Sequence, residues 1–179
     1  MIIFITGPDR CGKDTLIRRI RQEFKNSVFH QHHYLPIPVE SSKKQFVYEK
    51  EMNDQYFAMI DFYIKNKINI IYNRCHIDSM VYAPIYRGYS NDYLLELEKK
   101  LDNHNFYLIT LVDDLKKIIQ REDGESQNKG EIFKLSCEIE NHKKYFSLSS
   151  IKNKLLIDMS NQSLEVGLNL AIDFIKLPS

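Results

Sequence analysis

The sequence is poor in cysteine, in net charge and in long apolar runs, and each shortage excludes a class of protein. Its three cysteines, Cys11, Cys75 and Cys137, are an odd number at wide spacings, so they make neither a disulfide framework nor a CxxC metal knuckle. A reducing compartment is the simpler setting. Acidic and basic residues nearly cancel, to a formal net charge of +1. That balance leaves no global field of the kind that marks polyanion-binding proteins, and it argues against a nucleic-acid partner while allowing local basic sites. No stretch approaches the roughly 20 apolar residues of a membrane-spanning helix. The apolar run over residues 1–5 carries no basic leader and no cleavage site. The expectation is a soluble cytoplasmic protein with no membrane partner. No repeat or low-complexity tract is present, and at 179 residues one core can be buried without staples, so one domain over 1–179 is expected.

What is present is an alternation of strand and helix patterns. Residues 2–6 form a β-branched apolar run ending at Gly7, which reads as a buried strand. Over residues 13–24 the apolar positions Leu16, Ile17, Ile20 and Phe24 recur at spacings of three and four, a helix with one buried stripe. Residues 28–32 read as a second strand, and Pro36 and Pro38 then force an extended or turning segment. A long helix over 43–67 stops at Lys65-Asn66-Lys67, and 68–72 returns to a continuous apolar run. Helices are then predicted over 92–101, 114–120, 130–149 and 164–175, strands over 107–112 and 155–159, and a polar loop over 121–130. Such alternation predicts an α/β three-layer domain on a mostly parallel, five-stranded sheet with right-handed crossovers.

Gly7-Pro8-Asp9-Arg10-Cys11-Gly12-Lys13 satisfies GxxxxGK, after a buried strand and at the opening of an amphipathic helix. In that context the motif is a P-loop. Its backbone wraps a phosphate, the helix N-terminus supplies positive potential, and Lys13 reaches the β and γ oxygens of ATP. Magnesium usually takes a hydroxyl directly after the lysine, whereas this sequence has Asp14 there and Thr15 next. A carboxylate is a good hard-cation ligand, so Asp14 is the candidate metal ligand. The alternative is a plain first-turn acid, which the helix dipole equally favours.

The loop through Asp14-Thr15 resembles the GxDRxGKxT loop of one class of thymidylate kinase, and the order of elements is similar over most of the chain. The resemblance implies a P-loop kinase fold with a short lid at about 121–130, ATP and magnesium, and commonly a homodimer. By position it places Asp9 near the acceptor sugar and phosphates, and Arg10 on the transferring phosphoryl group. Asn73-Arg74, then Asp78, Ser79 and Tyr82, resemble in part the family's second motif. Arg74 falls on the arginine that binds the acceptor phosphate and Tyr82 on the aromatic, while Asn73 replaces an aspartate. If that aspartate helps hold magnesium through water in the family, its loss here and the gain of Asp14 are expected to compensate. Ala83 stands where a base-contacting glutamine is common, and no arginine follows the second strand. Arg87 is either a substitute phosphate contact or a surface residue.

Phe57, with Tyr56 and Phe62, either stacks on a base or belongs to the core. Asp113-Asp114 followed by Arg121 resembles the segment leading into the lid, where Arg121 either clamps the nucleotide or simply ends a helix. His30, His32 and His33 lack a partner at metal-site spacing. The expected activity is phosphoryl transfer from ATP to a pyrimidine deoxynucleoside monophosphate, dTMP or a uracil relative. Its rivals are a deoxynucleoside or polynucleotide 5′-hydroxyl kinase and an inactive nucleotide-binding protein.

Overall fold

The strands are β1 (Ile2–Thr6), β2 (Val28–Gln31), β3 (Ile70–Asn73), β4 (Phe106–Val112) and β5 (Asn153–Asp158). In the computed structural model, which describes residues 1–31, 41–101, 105–121 and 129–176, they pair in parallel in one sheet, in the order β2-β3-β1-β4-β5. The helices are α1 (Lys13–Glu23), α2 (Ser42–Lys65), α3 (His76–Tyr82), α4 (Tyr93–Glu98), α5 (Leu115–Gln120), α6 (Lys129–Leu148) and α7 (Leu164–Lys176). This is the three-layer α/β fold that the alternating patterns predict. No helix among the described residues is long and apolar enough to cross a membrane.

The uniformly apolar strands follow from helices on both faces. Phe4 and, on β4, Phe106 and Leu108 pack under α2, α3 and α4 with Tyr56, Ile60, Met80 and Leu94. The alternate residues Ile3, Ile5, Ile109 and Leu111 pack against Leu16, Ile17 and Ile20 of α1 and Ala171 and Ile172 of α7. Successive side chains point to opposite faces, so a strand covered twice cannot alternate in polarity. Only the edges relax this, as β2 does with Val28 at 44% exposure.

Boundaries moved where backbone geometry overrides composition. The long helix ends at Lys65 because Lys67 takes a positive φ of 54°, which delays β3 to Ile70. The last strand begins at Asn153, two residues before its apolar run, and Met159 opens a 3-10 turn instead of closing the strand. Helix α3 and the π-helical turn Ala83–Arg87 after it were not predicted. Their start is a capping box with Cys75 in the place of a serine: the Asp78 carboxylate accepts from the Cys75 amide at 2.8 Å. With His76 to Val81 all buried, polar and apolar alike, α3 has no solvent face for a periodicity to reveal.

Candidate active site

In the strand order, β1 lies between β3 and β4, so the chain leaves β1 toward one side and later crosses to the other. The crevice beyond the strand ends at such a reversal is where open α/β sheets take ligands. The GxxxxGK loop fills it. Gly7, at φ 142°, lies so close to β4 that a Cβ there would sit 2.1 Å from the Leu111 carbonyl oxygen. Gly12, at φ 89°, is the N-cap of α1. The loop is thereby pressed onto the sheet with the open end of α1 facing the crevice.

Lys13 is 7% exposed, donates from Nζ to the Pro8 carbonyl at 2.6 Å and lies 3.6 Å from Asp9. Burial, then the neighbouring Arg74, lower its pKa. An ammonium held against its own loop and beside another cation is one that a phosphate oxygen can recruit. The Cys11 thiol is buried and its pKa is pushed up to about 12, chiefly by desolvation. Only its backbone can face a ligand.

Among the described non-glycine residues, four have positive φ, and two of them are Arg10 at 66° and Arg74 at 68°. Left-handed backbone costs an L-residue about 1–2 kcal/mol, and such strain persists where the surroundings demand it, often at ligand sites. At the end of β3 it turns Arg74 back across the loop. Its Nη2 donates to Asp9, and its Nη1 to the Tyr82 hydroxyl at 2.8 Å and to Asp78 at 3.2 Å. Burial works against its charge, but Asp78, Tyr82 and Asp9 more than offset that and hold the guanidinium firmly protonated.

A 410 Å³ cavity opens between these groups, lined among others by Asp9, Arg10, Lys13, Thr15, Arg74 and Arg121. A larger one of 890 Å³ lies between the π-helical turn, α5 and α6 and includes no loop residue. Arg121 closes one side of the site, donating to the Arg10 carbonyl at 2.8 Å and pairing with Asp113 at 2.6 Å. Residues 122–128, most of the predicted lid, lie outside the described residues, as do His32 and His33. His30 packs edge-on to Tyr72 at 5.0 Å between ring centroids.

Asp14 and Asn73 also line this cavity, and they touch: Asn73 Nδ2 donates to Asp14 Oδ1 at 3.3 Å. Asn73 Oδ1 is buried without a partner. A carboxylate with an orphaned amide oxygen beside it fits a hard cation. No cluster of three or more His, Cys, Asp or Glu accompanies them among the described residues, so such a cation would need further ligands.

Three predicted substrate contacts are corrected. Phe57 is 8% exposed and belongs to the core, with its ring 5.3 Å from Tyr56 and 5.4 Å from His76; it has no open face for a base. Asp78 is fully buried and reaches the cleft only through Arg74. Arg87 is pinned by Glu49 at 3.0 Å. Glu49, 5% exposed, also accepts from Ser79 at 2.7 Å, from Asn91 at 2.9 Å and from Tyr89, so Arg87 helps knit the π-helical turn to α2. Sequence reasoning missed Glu49 because nothing distinguishes it from the exposed acids of the same helix.

No protein-family model matches the chain, and no curated protein matches it in sequence. Solved structures do. The thymidylate kinase of Candida albicans aligns over 98% of this chain and 90% of its own, at 14% identity and a TM-score of 0.75. The chain has the fold of thymidylate kinase. The same fold aligns with the YorR protein of Bacillus subtilis, solved in complex with phosphorylated GDP, over 99% and 96% of the two chains at 19% identity and a TM-score of 0.70. It also aligns with deoxyadenosine kinase of M. mycoides with bound dATP, over 99% and 100% at 16% identity and a TM-score of 0.65. The thymidylate-kinase fold thus accounts for nearly the whole length of the chain.

Proposed function

We propose that the protein transfers the γ-phosphoryl group of ATP to the 5′-phosphate of a pyrimidine deoxynucleoside monophosphate, dTMP or a uracil relative, giving the diphosphate. One observation carries this reading: Arg74, in strained backbone, converges with Lys13 on Asp9 at the mouth of the loop. A hydroxyl acceptor needs a base to take its proton, whereas an acceptor phosphate is already ionised and needs cations. The pyrimidine preference rests on the GxDRxGKxT likeness of residues 7–15.

An oxygen of the acceptor phosphate attacks the γ-phosphorus as the bond to the β–γ bridging oxygen breaks, and ADP leaves with that electron pair. No covalent intermediate with the protein forms. Arg74 leaves Asp9 to hold the acceptor phosphate, and Lys13 leaves the Pro8 carbonyl for the β and γ oxygens. Arg10 faces the equatorial oxygens, where a loose transition state spreads its charge. Magnesium, when bound, neutralises charge on the β- and γ-phosphates, and Asp14 with Asn73 beside it would hold it.

The test is incubation of the protein with magnesium, labelled ATP and a panel of nucleoside monophosphates, nucleosides and 5′-hydroxyl oligonucleotides. Label should reach dTMP or dUMP and fail to move with Lys13→Ala. Label on a nucleoside or an oligonucleotide end would overturn the acceptor, and ATP binding without transfer would overturn the activity.

A further inference from the structure

Helix α6 carries a histidine that the proposed chemistry does not use. His142 is fully buried, with Nδ1 2.8 Å from the Glu138 carbonyl oxygen and Nε2 3.4 Å from Asp78 Oδ1. A carbonyl oxygen only accepts. Asp78 is also acceptor-only: burial pushes its carboxyl up, but the hydrogen bond from His142, the charge of Arg74 and the Cys75 amide outweigh this and hold it well below the usual carboxylate range. A neutral imidazole has one N–H for two acceptors, while the imidazolium has one for each.

The same oxygen that faces His142 faces Arg74 Nη1 at 3.2 Å, and the other carboxylate oxygen takes the Cys75 amide at 2.8 Å. Asp78 is therefore shared between the Arg74 guanidinium and the His142 ring. Because it rests on the reading of Arg74 given above, the assignment is one of position and not of chemistry. We infer that His142, as an imidazolium, positions the acceptor-phosphate arginine by sharing Asp78 with it. With His142 charged, the buried trio sums to +1 and Arg74 keeps its positive charge for the cleft. With His142 neutral the trio sums to zero, and a nitrogen lone pair faces one of the two acceptors, the Asp78 carboxylate or the Glu138 carbonyl. Arg74 is then drawn onto Asp78 and away from the acceptor.

The other groups facing His142 do not substitute for it. From α3 comes the Tyr82 ring, edge-on at 6.0 Å. From its own helix comes Glu138, whose carboxyl is raised by burial and accepts from Tyr86 of the π-helical turn. Asp9, the remaining acid near Arg74, is engaged with Arg74 and Lys13 on the solvent side.

Two measurements test this. Nitrogen NMR of the imidazole rings, assigned through bonds to the backbone, should find both His142 nitrogens protonated at neutral pH; a neutral tautomer there overturns the inference and needs no variant to fold. Calorimetry of dTMP and of inorganic phosphate from about pH 5 to 8 should show binding weakening about tenfold with rising pH, the scale of one charge-assisted hydrogen bond. In His142→Gln binding should be weak and flat over that window, with ATP affinity unchanged. The ligands' own ionisation acts on both proteins and cancels in the comparison. Superimposable profiles for the two proteins would overturn the role. If phosphate binding follows this pattern but no label reaches dTMP, the proposed activity fails and the positioning role stands.

Discussion

Replacing Arg74 separates its backbone from its side chain. Arg74→Ala keeps the left-handed φ of 68° and removes a partner from Asp78, which is 0% exposed. Breaking a buried pair costs about 3–5 kcal/mol, and His142 remaining beside Asp78 puts the loss at the low end, about 3 kcal/mol. Arg74→Gly removes the same pair but releases the backbone strain of about 1–2 kcal/mol. The greater freedom of glycine in the unfolded chain costs about 0.5–1 kcal/mol, leaving glycine ahead of alanine by roughly 1 kcal/mol. For a chain of this size that difference is about 2–4 °C in melting temperature, read by thermal and urea unfolding. Both variants should lose about a thousandfold in kcat/KM for dTMP, the cost of removing a preorganised charge from a phosphoryl site. If alanine is as stable as glycine, the strain argument fails. If either variant keeps kcat/KM within about tenfold of wild type, Arg74 does not hold the acceptor.

Further outcomes follow from other contacts. Asp14→Asn should weaken magnesium binding in the presence of ATP by about 10- to 100-fold, and adding Asn73→Asp should restore most of it, because the two side chains already touch at 3.3 Å; a double variant as weak as the single refutes the compensation. Gly7→Ala should cost more than about 3 kcal/mol or prevent folding, since its Cβ would lie 2.1 Å from a backbone oxygen with no flexible end to move; near-normal urea stability would refute the close approach. The Glu98 carboxyl, buried yet bonded to His76 at 2.7 Å and to the Ser150 amide, is lowered from 4.5 to about 2. Its contribution, about 3 kcal/mol, is fully present above pH 4.5 and is lost as pH falls toward 2. In Glu98→Gln the slope of stability against pH over that window should be shallower by one proton.

The parts of the site that were legible in the sequence are those whose chemistry is local. Gly7 to Thr15 declares itself because a strand, a glycine turn and a helix start are adjacent in the chain. Arg74 was reachable because it follows a recognisable buried strand. Phe57 and Arg87 stayed open and Asp78 was misplaced for one shared reason: an aromatic, an acid and an arginine look the same in sequence whether they face a ligand or one another, and here His76, Arg74 and Glu49 take them up from elsewhere in the chain. Helix α3 went unseen because a cysteine stands at its cap and its polar residues His76, Asp78 and Ser79 are buried among partners from elsewhere in the chain. His142 had no signal, since its partner lies 64 residues away.

The anchoring of the phosphate loop has a consequence for how the protein is made. The loop lies within the first thirteen residues, yet its Asp9 is tied to Arg74, 65 positions later, and its Arg10 carbonyl to Arg121, 111 positions later. A nascent chain therefore carries the complete GxxxxGK motif long before the loop is anchored, because the ties close only when β3 and α5 have been synthesised and docked. Nucleotide affinity should then rise late and abruptly during synthesis or refolding, in step with closure of the longest contacts rather than with the appearance of helix α1.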